Sequence, residues 1–354
     1  MTDAGDGGAP DPVTAAGAAD IPMPITIRPP VDTLSMPRFN HGLPFDPTYG
    51  YDVPALLEVP APDEPPGFVA FWQATYRQAR SIDLRLEARR VDSPWPGVEV
   101  HHVAYDSWDG IRIGAYLSVP ADRAAIERGV VIGHGYGGRD QIDWHRHHHR
   151  QVAIYPCARG LGRSRHESLP DNAAWHVIHG IDDRATYLHR GCVADYWLAA
   201  SALIELFPQV ADRLHYEGGS FGGGIGALML PWDRRFKAAA LAVPSFGNHP
   251  LRVTLRCNGS GAAVQARHRR SPQVLDVLAY YDAAVAAAHL RVPVAYACAM
   301  FDPAVPPPGQ FAVFNATPAP KSLYIRRAGH FDDPDAAADD QQIARMQDEL
   351  FDAH

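Results

Sequence analysis

Apolar residues recur along the chain in two rhythms. Phe68, Phe71, Trp72, Thr75, Tyr76 and Ala79 fall at helical spacing, so an amphipathic helix is expected there. Residues 98–105 and 111–119 read as extended segments on either side of Asp106-Ser107-Trp108-Asp109-Gly110, whose Asp-Gly is a turn signal, and they predict a hairpin. Beyond it come short runs that are apolar throughout, at 129–133, 152–157, 214–218, 238–243, 292–299 and 322–326, with helix-length segments between most of them. A strand that is apolar on both sides is covered on both faces, and strands that alternate with helices run parallel. The pattern therefore predicts an α/β chain with a mostly parallel central sheet flanked by helices.

Two regions break the rhythm. From 245 to 290 the alternation lapses into Arg- and Gly-containing sequence followed by a helical segment over 272–288. This reads as a small cap-like insertion above the C-terminal strand ends, where open α/β sheets bind ligands. Residues 1–35 are rich in Ala, Gly, Pro and Asp and bury too little apolar surface to offset the entropy of ordering them, so they read as a flexible tail. Residues 36–354 remain as one domain with an N-terminal extension.

Composition narrows the functions open to such a chain. Hydrophobic residues at 46% and charged residues at 20% are ordinary for a soluble globular protein, and a formal charge of −8 argues against a nucleic-acid partner. The run His145 to Arg150 reads as a solvated face; adjacent histidines such as His145, His147, His148 and His149 seldom converge on one metal ion. The first twenty residues carry neither a basic nor an apolar leader segment, and no run approaches the ~18 apolar residues of a membrane span. No membrane partner and a cytoplasmic location are expected. Cys157, Cys192, Cys257 and Cys298 are scattered without a C-x-x-C pair, which fits reduced, buried thiols. No metal and no cofactor are expected.

The segment around Gly218, Ser220 and Gly222 carries the chemistry. It is a G-x-S-x-G that follows a short strand and opens a helix. Such a serine sits in a strained strand-to-helix turn, and the glycines are needed because side chains two residues away would collide with neighbouring backbone. A serine hydroxyl is a poor nucleophile at neutral pH, so it needs a base held in one tautomer by a carboxylate. On an α/β-hydrolase scaffold both partners follow the serine, each in a loop just after a strand. The run 292–301 ends in Asp302, and the run 322–328 ends in Gly329-His330, which makes Ser220, Asp302 and His330 the candidate triad. Asp332 and Asp333, the nearest rivals, stand too close to His330 to occupy the preceding strand's loop.

Ester hydrolysis also needs backbone N–H donors aimed at the developing oxyanion. Phe221, directly after the serine at a helix N-terminus, supplies one. The loop His134-Gly135-Tyr136-Gly137-Gly138 after an earlier strand supplies the other through Tyr136. His134 reads as a brace for that loop rather than a proton carrier.

Taken in order, His134-Gly135-Tyr136-Gly137-Gly138, Arg159-Gly160, the segment His179 to Tyr187, Arg190-Gly191, Gly218 to Gly224, Asp302 with Pro306-Pro307, and Gly329-His330 resemble the acetyl xylan esterase and cephalosporin C deacetylase family. The resemblance runs with gaps from Phe68 to Phe351. It implies a metal-free serine esterase that removes acetyl groups from small acetylated sugars or cephalosporin C inside the cell, commonly as a ring-shaped hexamer. It assigns Ser220, Asp302 and His330 as the triad and the Tyr136 and Phe221 backbone as the oxyanion hole, and it matches Arg159 and Gly160 to the start of an Arg-Gly-Gln signature. A buried Arg159 is expected to anchor loops around the site. Where the family usually carries polar residues this chain has Phe221, Leu161 and Phe331, a change that makes the surroundings of the site less polar. Another small ester or a lactone on the same scaffold, or a binding protein without catalysis, are the alternatives; an intact set of three catalytic residues argues against the last.

Overall fold

The computed structural model describes residues 25–143, 149–318 and 320–354. The histidine-rich stretch 145–148, Trp144 and the first 24 residues read as tail lie outside the described residues.

Ten strands form one sheet. They are β1 (Thr26–Arg28), β2 (Glu87–Val91), β3 (Val98–Asp106), β4 (Arg112–Pro120), β5 (Arg128–Gly133), β6 (Gln151–Pro156), β7 (Leu214–Gly219), β8 (Phe236–Ala242), β9 (Val294–Phe301) and β10 (Lys321–Ala328). Their order is β1-β10-β9-β8-β7-β5-β6-β4-β3-β2. β2, β3 and β4 form an antiparallel meander, β4 joins β6 antiparallel, and every pairing from β6 through β5 to β1 is parallel. The hairpin and the six apolar runs thus appear as β3–β4 and β5–β10. This mixed sheet with flanking helices is the α/β-hydrolase architecture expected from the sequence.

Burial on both faces explains the unbroken apolar runs. In β5, Val131 belongs to the larger core cluster while its neighbours Val130 and Ile132 belong to the smaller one on the opposite face, because successive side chains of a strand alternate. The helices, in chain order, are α1 (Val53–Leu57), α2 (Phe68–Arg80), α3 (Ala173–His176), α4 (Leu188–Leu206), α5 (Phe221–Met229), α6 (His249–Arg252), α7 (Ser260–Arg270), α8 (Val274–Leu278), α9 (Ala283–Ala287), α10 (Pro307–Ala316) and α11 (Ala336–Ala353). The larger cluster takes in α4, α5, α9 and α10, and the smaller takes Ile343, Met346 and Phe351 of α11. No helix among the described residues is long and apolar enough to cross a membrane.

Two expectations change. The helical segment over 272–288 is not one helix: α8 gives way to a 3-10 turn at Ala279–Tyr281, and Asp282 starts α9 by accepting hydrogen bonds from the N–H groups of Ala284 and Val285. α9 is buried against α5 and α10, so the end of this segment is a core crossover and only the earlier part, from α6 to α8, is an excursion. The stretch read as tail also contributes to the sheet, since Thr26–Arg28 pairs with Ser322, Leu323 and Tyr324 at the β10 edge. A three-residue Thr-Ile-Arg segment is too short to stand out by pattern, and the exposed edge of β10 supplies the missing hydrogen-bond partners.

Candidate active site

Ser220 sits between β7 and α5 with φ +55° and ψ −116°, a backbone conformation that costs a non-glycine residue roughly 1–3 kcal/mol. Neighbouring backbone holds it there. Its N–H donates to the Ala242 carbonyl at 2.9 Å, and its own carbonyl accepts from Gly224 and Ser245 at 3.0 Å each. The glycines after it are required by close approach. A methyl group on Gly222 would lie 2.9 Å from the Gly133 carbonyl carbon and 3.0 Å from the His134 oxygen, and one on Gly224 would lie 2.4 Å from the Ser245 oxygen. α5 can therefore pack directly onto the loops that follow β5 and β8.

The structure brings Ser220, His330 and Asp302 together. Ser220 Oγ is 2.9 Å from His330 Nε2, and His330 Nδ1 is 2.8 Å from Asp302 Oδ2. A carboxylate only accepts, so Nδ1 carries the proton and Nε2 is left to accept from the serine hydroxyl. Asp302 is fully buried. Its Oδ1 accepts the N–H groups of Ala304 and Val305 at 2.9 Å each, and its Oδ2 also accepts from Gln310 Nε2 at 3.0 Å. Burial opposes a charge on His330, but the hydrogen bond to Asp302 and the charge of that carboxylate outweigh it, and the imidazole holds its proton to a higher pH than usual. Gly329 makes the approach possible, because a methyl group there would lie 2.4 Å from Asp302 Oδ2.

Gln310 went unrecognised in the sequence. It is fully buried on α10 and ties Asp302 to β9, with Oε1 accepting from the Ala299 N–H at 2.8 Å and Nε2 donating to the Val305 carbonyl at 2.7 Å. A single Gln inside an apolar helix carries no motif; its position eight residues after the carboxylate was the available signal.

Tyr136 and Phe221 lie beside the serine. A methyl group on Gly135 would come 3.7 Å from Ser220 Cβ, so the loop bearing Tyr136 runs against the serine side chain. Their rings pack on each other with centroids 4.4 Å apart. Tyr136 is held from behind by His189, whose Nε2 is 2.9 Å from the phenol oxygen. The rings of His176 and Phe246 complete this buried cluster. His134 lies in the same loop: its Nε2 accepts the Ala158 N–H at 2.9 Å, so its Nδ1–H points at the Gly135 carbonyl. Burial first, and the charge of Arg139 second, push the pKa of His134 down to about 3, so it stays neutral. Burial likewise lowers His176 to about 4 and His189 well below its ordinary value.

Arg159 is buried, and its guanidinium grips Asp195 of α4 twice, Nε to Oδ2 at 2.9 Å and Nη2 to Oδ1 at 2.8 Å. Nη2 also donates to the Trp108 carbonyl at 3.1 Å, and the Arg159 carbonyl takes a hydrogen bond from His176 Nε2 at 2.9 Å. Three separate segments are thereby tied together by one residue, two of them through its guanidinium. Gly160, at φ +83°, lies so close to the Pro170 carbonyl that a methyl group would come within 2.6 Å. Two of the three apolar replacements are hidden: Phe221 is fully buried and Leu161 only 3% exposed, so Phe331 alone of the three offers surface to a substrate. The four cysteines are buried and unpaired.

A hydroxyl, an imidazole and a buried carboxylate in this order, beside two backbone amides at a helix start and a glycine loop, can pass a proton away from the serine while it attacks an acyl carbon. Known proteins carry the same architecture. The chain is similar to an acetyl xylan esterase from Paenibacillus sp. R4 (TM-score 0.74, 22% identity, 83% of this chain and 99% of that one) and to acetyl xylan esterase 1 from Thermoanaerobacterium sp. JW/SL YS485 (TM-score 0.73, 21% identity, 84% and 98%). Over 150 residues it is 24% identical to the acetyl esterase Axe7A of Xylanibacter ruminicola, a stretch covering 42% of this chain and about a third, 34%, of that protein. The pattern of the acetyl xylan esterase (AXE1) family matches residues 59–348, most of the chain, and on that match the protein belongs to the acetyl xylan esterase family.

Proposed function

We propose that the protein is a serine esterase that removes acetyl groups from small acetylated carbohydrates, with Ser220 as nucleophile, His330 as general base and Asp302 orienting it. The observation that carries this reading is the continuous relay of 2.9 and 2.8 Å from Ser220 Oγ through His330 to a fully buried Asp302. His330 Nε2 takes the hydroxyl proton as Oγ bonds to the acyl carbon. The oxyanion is met by the N–H groups of Tyr136 and Phe221, each worth about 3 kcal/mol in such sites. Collapse breaks the ester C–O bond, and the leaving alcohol takes the proton back from His330. Water then adds to the acetyl-serine with His330 again as base, releasing acetate and restoring Ser220. Burial of Phe221 and Leu161 supports a hydroxyl-rich substrate, because these replacements do not add apolar surface to the cleft.

Initial rates on p-nitrophenyl esters from acetate to octanoate, with and without a serine-directed phosphonate and with Ser220→Ala as control, test the reading. Fast acetate turnover that the phosphonate stops and that collapses by butyrate is expected, with activity in the Ser220→Ala protein lowered by roughly 10⁴-fold or more. No turnover at any chain length, or near-normal rates in the variant, would overturn it.

A further inference from the structure

The loops carrying Asp302 and His330 are held by a part of the chain that the family pattern does not reach. That pattern begins at residue 59, whereas the contacts come from upstream. β1 pairs with β10, the strand that delivers His330. Phe39 places its ring 4.8 Å from Phe301, the residue before Asp302, and 5.3 Å from Phe331, the residue after His330. Phe301 and Phe331 lie 5.0 Å apart and close the triangle, with the Arg327 guanidinium 5.5 Å from the Phe39 ring. The carbonyl of Pro47 accepts the N–H of Asp302 itself at 3.2 Å. Tyr49 then fastens the segment's far end by donating its O–H to the Arg256 carbonyl at 2.7 Å.

We propose that Thr26–Tyr49 is a positioning strap for the acid–base pair, with Phe39 as the wedge that sets the separation of the two loops. Pairing of β9 with β10 ends at the Gly329 N–H bond to the Phe301 carbonyl, 2.8 Å, and Asp302 and His330 leave the sheet just beyond it. An aromatic ring shared by the residues adjoining Asp302 and His330 makes the two ends move as one, and so fixes the hydrogen bond between them. The two solved relatives match 83% and 84% of this chain, which leaves about a sixth of it unmatched in each comparison. The inference rests on the triad reading above.

The test compares Phe39→Ala and Phe39→Leu in the full chain, using p-nitrophenyl acetate kinetics across pH together with thermal melting. A positioning role predicts kcat lower by roughly 10-fold or more in Phe39→Ala with KM little changed, since small displacements of catalytic groups are costly. The acid limb of the kcat/KM profile should move to lower pH as His330 loses part of its carboxylate support, and Phe39→Leu, which keeps most of the wedge, should restore both. Wild-type kcat and acid limb in Phe39→Ala, whether or not the melting temperature falls, would overturn the strap. If Phe39→Ala does not fold, Phe39→Val, which keeps apolar volume but not the reach of the ring, takes its place, and wild-type kcat and acid limb in that variant overturn the strap. The low-field proton resonance of the His330 Nδ1–H, read without substrate, separates this from failure of the esterase reading. An inactive wild-type protein whose resonance is lost in Phe39→Ala removes the function and keeps the strap.

Discussion

The two halves of the site are built from different materials. The serine half, with Ser220, Phe221 and the Tyr136 loop, is held by backbone packing: glycines let α5 touch the β5 and β8 loops, and the strained φ of Ser220 is fixed by main-chain hydrogen bonds. The histidine–aspartate half leans on side chains: Gln310 joins the Ala304 and Val305 N–H groups in orienting Asp302, and Phe39 of the N-terminal segment bridges Phe301 and Phe331 on the two loops. Steric precision at Ser220 is written into a fixed spacing of small residues, whereas a hydrogen-bond network can be assembled from many residue types at many distances.

The sharpest test of that contrast is Asp302→Asn, which keeps the shape of the buried network but offers His330 an amide in place of a charge. By analogy with other triads kcat should fall by roughly 10³ to 10⁴-fold without loss of fold. A loss under 10-fold, measured by stopped assays at neutral pH, would mean that the carboxylate does not orient the base. Gly222→Ala probes the other half. Its methyl group would press on Gly133 and His134, so the Tyr136 loop must shift, and kcat should drop on the order of 100-fold, as when an oxyanion donor is displaced. Overpacking of this kind should also cost about 1–3 kcal/mol in a melting experiment, and an alanine variant as active and stable as the parent would break the contrast.

The smallest expected effect is the pH dependence. Because the folded-state pKa of His330 is raised above its ordinary 6.5, the neutral base is lost as pH falls through a value higher than that, and kcat/KM should decline there. The same raised value means that the Asp302–His330 pair contributes its full stability below 6.5 and loses it as pH rises through the folded pKa. An acid limb at or below 6.5 would show that burial, rather than Asp302, governs the imidazole.

What was readable in the sequence follows the same division. The parallel strands were legible because burial on both faces leaves them apolar throughout, and Ser220, Asp302 and His330 because each ends such a run. β2 was not: Glu-Ala-Arg-Arg-Val is an exposed outer strand with no alternation to report. The break between α8 and α9 was hidden because Asp282 caps a helix from inside a segment whose apolar spacing continues across it. Phe39 acts through rings far from it in sequence and Gln310 through hydrogen bonds made from inside an apolar helix, and neither stands in a local pattern. Phe221 adds no apolar surface to the cleft, since a residue one position after Ser220 can turn its side chain wholly into the interior.

The glycines of α5 also govern when the site comes into being. Four of its nine residues are glycine, which costs about 4 kcal/mol of helix propensity relative to alanine, so this helix has no stability of its own. It can form only against strands already paired across a long stretch of chain, and such non-local contacts are made late. The Ser220 turn is therefore acquired together with the completed sheet, and the geometry it offers to His330 belongs to the finished fold.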